Sequence, residues 1–67
     1  MSAYNEEKLR AYENIDKLEL EFARMERVYK KYVKHGAVKA AESLETEMAA
    51  LRAVIELEKY LMSVVFD

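Results

Sequence analysis

The chain has no cysteine, no proline and no tryptophan, and a single glycine among its 67 residues. Each absence excludes something. Without cysteine there is neither a disulfide framework nor a thiolate-ligated zinc or iron–sulfur site. Without proline, and with one glycine, the chain lacks the punctuation that an all-β fold with many tight turns requires. A glycine-rich phosphate loop is excluded on the same ground. Glutamine is absent and asparagine occurs only at Asn5 and Asn14, a bias that leans toward thermophilic proteins. No apolar run approaches the ~20 residues of a membrane span. Residues 1–7 have neither the basic start nor the apolar core of a signal peptide. A cytoplasmic protein that does not enter membranes is therefore expected. Neither sign of charge dominates: 13 acids against 11 Lys and Arg leave a net −2. Any case for nucleic acid must then rest on local clustering.

What the chain does have is the composition of a helix former, 52% apolar and 36% charged, rich in Ala, Leu, Glu, Lys and Arg. Gly36 sits near the midpoint, directly after Lys30, Lys31, Lys34 and His35. Cations in a last turn followed by glycine signal a helix C-terminus, because the cations suit the helix dipole and glycine adopts the left-handed cap conformation cheaply. At the other end Ser2 or Asn5 can cap, with Glu6 and Glu7 in the first turn. The charges follow the dipole: residues 5–21 hold six acids and three bases, residues 22–35 one acid and five bases. This predicts one domain over 1–67, with a first helix over about 5–34, a turn at 35–36 and a second helix over about 37–66.

Apolar spacing supports the same division. Ala11, Ile15, Leu18, Phe22, Met25, Tyr29 and Tyr32 recur at alternating steps of four and three, a heptad seam. Ala41, Leu44, Met48, Leu51, Ile55, Met62 and Val65 do so in the second half, with Glu58 as the one polar member. If the chain folds back at His35 and Gly36, residues whose numbers sum to about 71 face each other. Bulky Tyr29 and Tyr32 then oppose Ala37, Ala40 and Ala41, while Ala3, Lys8 and Ala11 oppose Tyr60, Leu61, Met62, Val65 and Phe66. Large against small is how facing layers fill space. The fold class is all-α, a two-helix antiparallel hairpin.

One hairpin is too little. Between residues 54 and 67 the apolar side chains spread over roughly 240° of helix circumference at 100° per residue, and a single neighbouring helix covers only a fraction of that. Dimerisation into a four-helix bundle is the economical cover. In its length, central turn and heptads the chain resembles the Rop-like dimeric hairpins, whose plasmid-encoded prototype binds RNA loops, and some small proteins of crenarchaeal viruses share that plan. The resemblance implies a two-fold bundle. No motif matches at corresponding positions, so it assigns no functional residue.

Three features remain as candidates. Arg24, Arg27, Lys31 and Lys34 fall within roughly 80° of arc on the first helix, with Lys30 and Lys39 beside them. Residues 24–39 hold six Lys and Arg against Glu26, a net +5. That density suits anions or nucleic acid, and equally a solvated outer face. Glu58 lies amid the C-terminal apolar arc, with Lys8 in the polar slot of the first seam, and a buried polar pair there would set register. Leu9, Leu20, Tyr4, Tyr60 and Phe66 could extend a docking surface. No catalytic constellation is present. The Ser residues have no His at reachable spacing, and the Glu-x-x-His pairs of di-iron bundles are missing. The pairs Leu9-Arg10 and Ile15-Asp16 match the first helix of all-helical chorismate mutases only with the spacing off by one, and a third helix is lacking. The expectation is a non-enzymatic homodimer, free of metal, cofactor and small-molecule substrate, that binds a protein partner. An RNA- or DNA-binding regulator using the basic cluster is the alternative.

Overall fold

The computed structural model describes residues 3–66, and among them there are two helices and no strand: α1 spans Ala3–Lys34 and α2 spans Val38–Phe66. They lie antiparallel as a hairpin with extents of 51 × 18 × 12 Å. Asn5 lies within α1 and so is not its cap; the other candidate, Ser2, lies outside the described residues.

The turn is built from backbone hydrogen bonds. The Ala37 N–H donates to the Tyr32 carbonyl at 2.9 Å, and the Gly36 N–H donates to the Val33 carbonyl at 3.1 Å. This six-to-one and five-to-two pair is the Schellman motif, which satisfies carbonyls that the helix end would otherwise leave unpaired. It requires a left-handed residue between them, and Gly36 supplies it with φ +72°. α2 begins at Val38, one residue later than the pattern alone predicts. The Ala37 carbonyl accepts the Ala41 N–H at 2.9 Å, so Ala37 is the N-cap of α2, without a side-chain oxygen to serve the role.

The two seams face each other. Ile15, Ala41, Ile55 and Met62 are buried, while Ala11, Leu18, Phe22, Met25, Tyr29, Tyr32, Leu44, Met48 and Leu51 are half-buried. The core is thus one side chain deep, as two rods must give, and most seam residues keep an edge in water. Pairing runs slightly past the expected mirror. Phe22 lies against Arg52 and Tyr29 against Glu45, each partner three residues further along α2, whereas Tyr4 at the open end meets Phe66, one residue short of the mirror. At the open end the Tyr4 and Phe66 rings meet edge to face at 5.3 Å, and the Tyr4 hydroxyl donates to the Phe66 carbonyl at 2.6 Å.

That contact explains a departure from the heptad reading. Val65, expected in the seam, is 61% exposed. Phe66 is half-buried in its stead: its larger ring reaches Tyr4 across the end of the hairpin, and Val65 turns away from α1. Of the other C-terminal residues expected to face α1, Tyr60 and Leu61 are exposed and only Met62 is buried.

Candidate binding surface

α2 carries three rows of side chains, and α1 covers only one. The seam row is Leu51, Ile55, Glu58 and Met62. One residue after each seam position come Arg52, Glu56, Lys59 and Ser63, a row rotated about 100° around the helix. Arg52, Glu56 and Lys59 line a shallow groove between the helices together with Glu19, Phe22, Glu26 and Ile55. Polar contacts strap this face. Lys59 Nζ donates to Glu19 Oε2 at 3.2 Å, the Arg52 guanidinium sits 5.1 Å from the centre of the Phe22 ring, and the Tyr29 hydroxyl reaches Glu45 Oε2 at 3.4 Å.

One residue before Ile55, Glu58 and Met62 come Val54, Leu57 and Leu61, rotated about 100° the other way, and Val64 continues their row. These four occupy the opposite face of the hairpin from the Lys59 groove, and they are 44, 56, 44 and 61% exposed. Their three-four-three spacing is that of a second heptad row, and Ala50 extends it toward the turn. Val65 and Tyr60 flank it, both exposed. The width of the C-terminal apolar arc was legible in the sequence. Its division into one covered and one uncovered row was not, although the signal was there: the 54, 57, 61, 64 spacing repeats that of the seam one residue earlier.

Glu58 and Lys8 are half-buried, and no charged residue among those described is fully buried. The expected buried polar pair is therefore not buried within one hairpin, since a seam one side chain deep leaves long polar side chains an edge in solvent. Glu58 stands at the margin between the seam row and the uncovered apolar row.

The six basic residues, Arg24, Arg27, Lys30, Lys31, Lys34 and Lys39, are all exposed. Arg24, Arg27, Lys31 and Lys34 form a row on the side of α1 away from α2. Among the described residues, the ion pair seen in this row is Arg24 to Glu21 at 3.6 Å, with both side chains more than half exposed. Among the described residues, too, no three His, Asp or Glu are grouped to hold a metal ion, and neither helix is long and apolar enough to cross a membrane.

The fold and these surfaces define the class as a small all-α helical hairpin with one uncovered apolar row and one basic row. None of the known protein families, curated proteins or solved structures compared with the chain matches it.

Proposed function

We propose that the chain is a non-enzymatic binding protein: a helical hairpin that pairs with a second copy into a four-helix bundle and presents its basic row to the acidic surface of a protein partner. The observation that carries this reading is the second apolar row of α2. Val54, Leu57, Leu61 and Val64 lie in the most apolar part of the chain with no helix over them, and a contiguous apolar stripe of this kind marks an interaction surface. A hairpin whose core is one side chain deep also has the most to gain from a second layer, because small helical scaffolds depend on oligomerisation. Sedimentation equilibrium tests the pairing. The expected mass is twice the 7.9 kDa of the chain, and a monomer that stays folded at high concentration refutes it.

A second reading, an RNA- or DNA-binding regulator, is favoured by the spacing of Arg24, Arg27, Lys31 and Lys34 along one exposed row. Retention on heparin or labelled RNA that falls steeply with salt supports nucleic acid, because each neutralised phosphate releases counterions. Weak retention supports a protein partner.

A further inference from the structure

The geometry points to a particular dimer: α2 pairs with α2 of a second copy, antiparallel, with the two-fold axis level with Ile55 and Glu56. This rests on the dimeric reading above and specifies its interface. Four observations lead to it.

The first is area. Val54, Leu57, Leu61, Val64 and Val65 are 44–61% exposed and together offer a patch on the order of a few hundred Å², in the range that marks binding sites. The flanking Ala50, Ala53 and Tyr60, all exposed, bring the buried surface toward the roughly 800 Å² per partner of a specific interface.

The second is charge. Between Met48 and Phe66 the charged residues are Arg52, Glu56, Glu58 and Lys59. Three of these line the groove on the opposite face, which leaves Glu58 alone at the margin of the row. A surface so poor in charge suits a copy of itself better than a strongly charged partner.

The third is size complementarity. With the axis at Ile55 and Glu56, Leu61 falls against the partner's Ala50, and Val54 against the partner's Leu57. The same two layers repeat across the axis, so every large residue meets a smaller one. The outermost layers set Val64 beside the partner's Glu47, at the rim where a carboxylate stays in water. Sliding one heptad in one direction places Leu57 on Glu47 and Leu61 on Ser43. Sliding in the other direction sets Val54 on the partner's Val64 and Leu57 on the partner's Leu61, so that large meets large in the layers and like-sized side chains abut instead of interlocking.

The fourth argues against a parallel pair. Parallel α2 helices would stack Ala50 on Ala50, Glu47 on Glu47 and Glu58 on Glu58, and would bring two turn regions of net +5 each to the same end. The antiparallel pair sends those regions to opposite ends, with the two turns about 58 Å apart at 1.5 Å per residue. The basic rows on the far sides of the two α1 helices stay open.

The absence of native cysteine makes the test direct. Ala50→Cys and Leu61→Cys variants are prepared separately, mixed, oxidised and run on a non-reducing gel, with sedimentation and circular dichroism alongside. Both positions are exposed in the hairpin, so neither change touches the seam. The mixture is expected to give a cross-linked dimer several-fold more abundant than either variant alone, because a disulfide needs Cα atoms within about 7 Å. Ala53→Cys mixed with Tyr60→Cys and joined by a short bismaleimide reads the same register should Leu61→Cys fail to fold. Self-cross-linking of Ala50→Cys indicates a parallel pair, and cross-linking of Leu61→Cys with Ser43→Cys indicates the shifted register. Either result overturns this interface while the dimer stands. A monomer by sedimentation overturns both.

Discussion

Replacing Gly36 with alanine isolates the cost of one backbone angle. Gly36 holds φ +72°, and a Cβ built there meets nothing within 4 Å. The substitution therefore adds no clash, and its whole effect is conformational. An L-residue in the left-handed region costs roughly 1–2 kcal/mol. Alanine returns about 0.4–1 kcal/mol by restricting the unfolded chain. The net expectation is a loss of about 1 kcal/mol per chain, counted twice in a dimer because each copy has its own turn. For a domain of this size, 1 kcal/mol moves the melting midpoint by about 4–8 °C. Urea or thermal unfolding at matched protein concentration measures it, since a dimer's midpoint depends on concentration. Gly36→Asn should lose less, because asparagine tolerates this region. D-alanine, introduced by chemical synthesis, should match or exceed the natural protein, because positive φ is its own preference and it also stiffens the unfolded chain. If the L- and D-alanine proteins melt together, the turn does not depend on the sign of φ and the reasoning fails.

The remaining expectations concern the seam, the cap and the charges. Ile55→Ala, in the buried seam, should cost about 2–3 kcal/mol, the low end for core truncation because the seam is open at its edges. Leu57→Ala should cost nearly as much when dimeric and under about 0.5 kcal/mol in a lone hairpin, so unfolding of this variant across protein concentrations separates the two states. Ala37→Ser gives the bare N-cap of α2 an acceptor and should add about 1 kcal/mol; an unchanged midpoint would mean that Ala37 does not cap. Glu58→Leu should raise the melting temperature while broadening the sedimentation profile into more than one species; a single dimer of lower stability would show that Glu58 does not set register. Lys59→Met removes a half-exposed ion pair with Glu19 and should change stability by less than about 0.5 kcal/mol, an effect that shrinks further with added salt.

Much of the hairpin could be read from local chemistry. Gly36 after a run of cations is a backbone requirement written directly in residue identity, and the four-three spacing from Ala11 to Tyr32 records which side of a helix is dry. What could not be read is where neighbouring elements compete for the same residue. Val65 continues the numerical pattern of the seam, yet Phe66 takes the contact because Tyr4 waits across the open end. Ala37 is a plausible first helical residue, yet it is shared: its N–H closes the end of α1 on the Tyr32 carbonyl while its carbonyl opens α2. The uncovered row at Val54, Leu57, Leu61 and Val64 was hidden for a different reason: two adjoining apolar rows merge into one broad arc unless a partner helix covers one of them.

The seams of α1 and α2 end and begin at Tyr32 and Ala41, and that interval has a consequence for how the chain can misassemble. Nine residues are about two and a half turns of helix. Were the turn to straighten into one rod, the two dry stripes would emerge on opposite sides of it, and no single neighbour could cover both. An opened chain exchanging halves with another copy would thus lose the facing surfaces that the hairpin supplies. Short hinges often invite such exchange between copies. Here the half-turn offset across Gly36 disfavours such exchange through a continuous rod.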